Sequence, residues 1–169
     1  MRRLFLMAGA ACAAIAFTVA CSKDDGGNGT DTATGSIEQD VVGNYDGTLE
    51  VSVTGQKPAT QDQSITISMT ENSTDAVDLA VTDFAFSGID IGTITLTGLP
   101  VSESNGTYSF ATPEPQILNL DVLGNGIVIP CSVTASGTVT NGKVSLTLDI
   151  TVMAMTVNVT FEGDRTAAE

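Results

Sequence analysis

The sequence predicts an all-β protein: an antiparallel up-and-down barrel of about eight strands, preceded by a signal peptide and a flexible tether. Three observations carry this prediction. Apolar residues recur with a period of two from Val41 to Gly163, turn-forming residues break that stretch at short intervals, and the chain opens with an uncharged apolar run that ends in a cysteine. A two-sheet sandwich is the second architecture the pattern allows.

The first strands read Leu49, Val51 and Val53 against Thr48, Glu50, Ser52 and Thr54, then Ile65, Ile67 and Met69 against Ser64, Thr66 and Ser68. One face is dry and the other wet. The alternation is cleanest from Val144 through Leu146, Leu148 and Ile150 to Val152, and again over Met155, Val157, Val159 and Phe161. A longer run, Ile127, Ile129, Cys131, Val133, Ala135, Gly137 and Val139, precedes them and is joined to the next strand by Asn141-Gly142. Asn-Gly is the strongest two-residue hairpin signal, because both positions tolerate positive φ. Further breaks fall at Gly55–Thr60, Glu71–Asp75, Ser87-Gly88, Ser104-Asn105-Gly106, Pro113-Glu114-Pro115 and Gly124-Asn125-Gly126. Counting runs between them gives eight to nine strands in sequential hairpins. A meander of that length has to close or pack on itself to protect its edges.

Val77, Leu79 and Val81 occupy odd positions whereas Phe84 and Phe86 are even, which predicts a β-bulge near Thr82-Asp83. Asp83 is the carboxylate to watch, with hydrogen bonding at the rim as its expected use. The residues expected to point inward include Leu49, Val51, Ile65, Ile67, Leu79, Ile94, Leu96, Phe110, Leu118, Leu120, Ile127, Ile129, Cys131, Val133, Ala135, Leu146, Leu148, Met155, Val157 and Phe161. An eight-stranded barrel is either filled by such side chains or just wide enough for one small ligand. The small residues Cys131, Ala135 and Gly137 on one inward row favour a cavity by a small margin, with an acyl chain or small terpenoid as the expected class of occupant.

The chain begins Met1-Arg2-Arg3 and continues uncharged from Leu4 to Ala20, the layout of a signal peptide occupying residues 1–20. As a membrane span the run is at the short end of the ~17–25 residues required, and Lys23-Asp24-Asp25 follows at once. Thr18-Val19-Ala20-Cys21 resembles the lipobox of bacterial lipoproteins, with Thr18 where leucine is usual, and the resemblance implies a lipid on Cys21. Several acyl chains at ~0.8 kcal/mol per buried CH₂ make such an anchor effectively permanent. Lys23, Asp24 and Asp25 resemble a short acidic signal for export to the outer face of the outer membrane; ordinary solvated linker is the equal alternative. Residues 21–38 form an acidic linker rich in Gly, Asp, Thr and Ser, too poor in apolar groups to repay ordering. Within it Asp31-Thr32-Ala33 matches a bacterial O-glycosylation acceptor no better than chance does. Asn72-Ser73-Thr74, Asn105-Gly106-Thr107 and Asn158-Val159-Thr160 match the N-glycosylation pattern, which a bacterial lipoprotein rarely has occasion to use.

Composition narrows the function. After Cys21 there are four basic and 20 acidic side chains, a net of −16, so nucleic acid and anionic membrane surfaces are unfavourable partners. Cys12 leaves with the signal peptide and Cys21 is lipidated, so Cys131 has no disulfide partner and reads as a small core hydrophobe. There is no histidine to act as a general base, to ligate a metal or to activate that thiol. Phosphate-binding loops and zinc spacings are absent, and the acidic turn Glu71–Asp75 lacks the spacing of a calcium loop. No enzyme activity, metal or cofactor is expected.

Four segments carry a family resemblance: Gly43-Asn44-Tyr45-Asp46-Gly47-Thr48-Leu49; Asp83-Phe84-Ala85-Phe86 with Ile91-Gly92-Thr93-Ile94; Ser136 to Lys143; and Val157 to Gly163. Together they resemble the calycin-like, or lipocalin-like, β-barrel domain of Gram-negative surface lipoproteins, over about residues 40–164. The resemblance implies a barrel of about eight strands and no established activity. It also sets Gly43-Asn44-Tyr45 where lipocalins carry Gly-x-Trp, and Arg165 near a late arginine that covers that ring. The expected organisation is a barrel domain over 39–164 with a tail over 165–169. The expected role is that of an outer-membrane, surface-exposed lipoprotein, either binding a small hydrophobic ligand or serving as an accessory envelope protein through protein or glycan contacts.

Overall fold

A computed structural model of the chain describes residues 36–167, apart from positions 54–55, 87–88, 122–125, 127 and 153–154. Among the described residues nine strands follow one short helix: α1 (Ile37–Asp40), β1 (Gly43–Val53), β2 (Ala59–Met69), β3 (Ala76–Phe86), β4 (Ile89–Ser104), β5 (Thr107–Ala111), β6 (Gln116–Leu120), β7 (Ile129–Thr140), β8 (Lys143–Val152) and β9 (Met155–Arg165). All pairings are antiparallel, in the order β5-β4-β3-β2-β1-β9-β8-β7-β6.

Closure comes from β7, which is long enough to hold two short strands along one edge. Its second half pairs with β5, from Thr107↔Thr140 to Ala111↔Ser136, and its first half with β6, from Gln116↔Val133 to Leu120↔Ile129. The β5–β7 ladder joins the two ends of the meander and makes a closed eight-stranded ring of β1–β5 and β7–β9. The architecture is therefore the barrel rather than the sandwich. Closure removes edges that would otherwise pair with other chains.

Local chemistry sets the corners. Asn141 and Gly142 adopt φ of 52° and 74°, and Asn105 and Gly106 adopt 53° and 77°, the paired positive angles of a two-residue hairpin. The phase change in β3 is a register shift between Val81 and Phe84, with Asp83 at φ 53°, so the bulge lies where the sequence places it.

The inward face is apolar and the outward face polar, the reverse of a barrel that spans a membrane with its strands. Across the outer face Ser64 donates to Asp46 (2.5 Å), Thr66 to Asn44 (2.8 Å), Ser145 to Glu162 (2.6 Å) and Asn158 to Asp149 (2.8 Å). Each of these is a directly opposed cross-strand pair in the register.

Two boundaries differ from the sequence reading. The linker was expected to run through residue 38, but Ile37 and Glu38 lie in α1, and Ile37 packs against the core. The tail was expected to start at Arg165, which instead ends β9 opposite Tyr45.

Candidate functional site

The interior is the first place to look for a site. Of the residues expected to line a cavity, Leu49, Val51, Ile67, Leu79, Phe110, Leu120, Cys131, Ala135, Leu148 and Phe161 all point inward and retain 0–4 % of their exposure. Ile65, Ile94, Leu96, Val133 and Leu146 join them at 0–2 %. A wall residue beside a water-sized void would keep accessible surface, so these values mean side chain against side chain.

The gap expected over the small residues of β7 is filled. Phe110 lies directly across the ladder from Gly137, and a Cβ built on Gly137 would come within 2.6 Å of the Phe110 ring. The missing side chain makes room for an aromatic one. Cys131 is buried, and burial pushes its thiol pKa up, away from the reactive thiolate.

Met155 does not point into the interior as expected; it is 59 % exposed. Its parity is sound, because it pairs with Val152, whose side chain is buried. Val152 is the last core residue at this end, and Met155 opposite it is left uncovered by the described residues. Ile129 and Val157, at the same end of the barrel, are half-buried for the same reason.

The opposite end is closed by α1. Ser36 caps it by accepting from the Gln39 N–H (3.1 Å), and Val41 just beyond is fully buried. Three side chains hold the cap down. Tyr45 Oη donates to the Val41 carbonyl (2.6 Å), Tyr108 Oη donates to Asp40 Oδ2 (2.8 Å), and the Arg165 guanidinium donates to the carbonyls of Gln39 (2.5 Å) and Val42. Gly43 is needed here: a Cβ on it would run into the Arg165 side chain. The hydrogen bond to Asp40 holds the Tyr108 phenol protonated and pushes its pKa up to about 12, while burial raises that of Tyr45 against the opposing pull of Arg165. The sequence pattern Ser36-x-x-Gln39 is the signal that marks this helix start.

Three hollows lined by described residues open on the outside of the barrel. One of about 710 Å³ lies over β1–β3 and includes Asp46, Asp62, Gln63, Ser64 and Asp83. One of about 490 Å³ lies over the β5–β7 closure among Ser102, Ser109, Ser136 and Thr138, and one of about 850 Å³ lies beside Asn44 and Arg165. Asp83 is exposed on the rim of the first; the backbone beside it is held by Gln63, whose amide donates to the Thr82 carbonyl (2.5 Å). Among the described residues no group of three His, Cys, Asp or Glu side chains is arranged to hold a metal.

The wall has one stitched seam. Among the described residues β4 pairs with β5 over Val101–Ser104, and no ladder is formed between the rest of β4 and β6. There the Gln116 carboxamide takes both backbone groups of Thr97, accepting from its N–H (3.1 Å) and donating to its C=O (2.7 Å).

The family model for the calycin-like β-barrel domain matches residues 41–164. This chain belongs to the calycin-like family. The matched range starts at the buried Val41 and ends one residue before Arg165, so it covers the closed ring up to the last residue of β9. Among solved structures, this calycin-like barrel is similar to a Bacteroides fragilis protein provisionally designated an outer membrane protein. The TM-score is 0.54 at 23 % identity, over 74 % of this chain and 51 % of that one. The chain thus spans about half the length of that protein, and the likeness is one of fold. No curated protein matches the chain. Cys21, Lys23, Asp24, Asp25 and Asp31-Thr32-Ala33 lie outside the described residues.

Proposed function

We propose that this calycin-like chain is an envelope lipoprotein, anchored by lipid at Cys21 in the outer membrane and exposed at the cell surface, whose solid barrel works through its outer face rather than by carrying a ligand inside. The observation that supports this reading is the packing. Fifteen residues expected to point inward keep 4 % or less of their exposure, and Phe110 takes the space over Gly137. A hydrophobic ligand of acyl or terpenoid size needs a cavity of roughly 300 Å³ or more.

An accessory role through contacts with envelope proteins or glycans fits the polar outer face and its open hollows. Catalysis is not proposed, because the chain lacks histidine and its thiol outside the signal segment and lipidation site is buried. Two variants test the anchoring. Cys21→Ser is expected to release the protein from the membrane fraction or leave it unprocessed. Replacing Lys23, Asp24 and Asp25 by Ala is expected to keep membrane association and abolish cleavage by external protease. Unchanged sedimentation of the first or unchanged cleavage of the second rejects the corresponding half of the proposal.

A further inference from the structure

We propose that Asn141 is a site of spontaneous modification: its side chain closes on the backbone nitrogen of Gly142 to a succinimide, which water opens to aspartate or isoaspartate. The same dipeptide at Asn105-Gly106 is held back by Glu103, so the fold selects between two hairpins that share a sequence.

The reaction needs a free peptide nitrogen beside an asparagine. Four Asn-Gly pairs occur in the chain, at Asn28-Gly29, Asn105-Gly106, Asn125-Gly126 and Asn141-Gly142. Asn28, Gly29 and Asn125 lie outside the described residues. Asn105-Gly106 and Asn141-Gly142 form matching two-residue turns, with φ of 53° and 77° in the first and 52° and 74° in the second. Both asparagines are exposed. What differs is the glycine nitrogen. The Gly106 N–H donates to Glu103 Oε1 (2.7 Å), and the Gly126 N–H donates to Asp121 Oδ2 (2.7 Å). Among the described residues the Gly142 N–H has no acceptor and the Asn141 carbonyl no donor.

That freedom lets the turn reach the reactive geometry. A type I′ turn becomes type II′ by rotation of its central peptide unit, with the flanking pairs intact. In the Asn141-Gly142 turn this rotation breaks no hydrogen bond: Thr140 keeps Lys143 across the ladder, and the Gly142 carbonyl keeps the Arg165 N–H (2.7 Å). It carries the Gly142 nitrogen toward the carbonyl carbon of the Asn141 side chain. At Gly106 the same rotation tears the N–H from a carboxylate, and the attacking nitrogen anion would form beside that negative charge.

The step balances with water as its only co-reactant. Hydroxide removes the Gly142 N–H proton, the nitrogen bonds to Asn141 Cγ, and the Cγ–Nδ2 bond breaks. The departing nitrogen takes a proton from water, leaves as ammonia and restores the hydroxide. Water then opens the ring, giving aspartate by cleavage at Cγ–N or isoaspartate by cleavage at the backbone C–N bond. Either product sets a new carboxylate next to Lys143, whose ammonium pairs with Asp164. Isoaspartate also lengthens the turn that holds the Arg165 N–H.

The test incubates the full chain at mildly alkaline pH and follows each Asn-Gly peptide by mass spectrometry after digestion in acid, with isoaspartate resolved by chromatography. Asn141 is expected to convert at least about tenfold faster than Asn105 and Asn125, the factor that corresponds to one hydrogen bond to a charged group. In urea the three rates are expected to converge, because no fold then holds the nitrogens. Glu103→Ala is expected to raise the Asn105 rate to within a few-fold of the Asn141 rate and to leave the latter unchanged. Asn105 converting as fast as Asn141 in the native chain overturns the proposal, and that arm requires no variant to fold. So does a difference that survives in urea, or an Asn105 rate indifferent to Glu103→Ala.

Discussion

Gly137 and Phe110 show how one absent side chain organises the core. Any Cβ at position 137 meets the Phe110 ring at 2.6 Å and the Ser145 carbonyl at 2.9 Å, and the second of these is backbone. Gly137→Ala is therefore expected to destabilise the barrel by about 1–3 kcal/mol in urea unfolding, the usual cost of overpacking. Phe110→Leu is expected to recover part of that loss in the double variant, giving a coupling term a pair of independent sites would lack. The two tyrosines supply a second residue-level test. Tyr108 donates to Asp40, so its folded pKa of about 12 stands above the ordinary value near 10. A raised pKa means that the contribution of the protonated phenol is complete below pH 10 and is lost as the pH rises through 12. Titration of phenolate absorbance is expected to show neither tyrosine ionising at the ordinary midpoint, and Tyr108→Phe to remove the highest step. At this scale the sequence was legible for parity and illegible for depth. Period two places Met155 on the inward face, but only the packed layers reveal that the core ends before reaching it.

At the scale of elements, α1 and β9 form one device. The four-residue helix is too short to hold itself; its stability comes from Val41 in the core and from Arg165, which reaches the carbonyls of Gln39 and Val42. Arg165→Ala is expected to cost about 1.5–3 kcal/mol, the range for hydrogen bonds to a charged group. Hydrogen exchange should then accelerate over Gln39–Val42 while the β7–β8 ladder keeps its protection; equal acceleration throughout would contradict a local role. The hairpins and the β3 bulge were readable because turn residues and phase carry them directly. The helix was readable only from Ser36-x-x-Gln39, since a single turn has no period to detect. The division of β7 between β5 and β6 had no local signal at all, because it depends on the length of one strand relative to two others far along the chain.

For the whole molecule, period two established that the sheet has a dry face, and the length of the meander implied that it must close. Whether the closed barrel is hollow was beyond the pattern, because alternating Leu, Ile and Val line a cavity and fill a core in the same way. Among the described residues the inward side chains from Leu49 to Phe161 keep 4 % or less of their exposure, which supports a filled core. Native mass spectrometry of the protein purified from its own cells tests this most directly. The expected spectrum shows the mass of the mature chain alone, with no noncovalent adduct after fatty acid is added. A copurifying apolar molecule that survives in the gas phase and is displaced by added fatty acid would contradict the solid barrel.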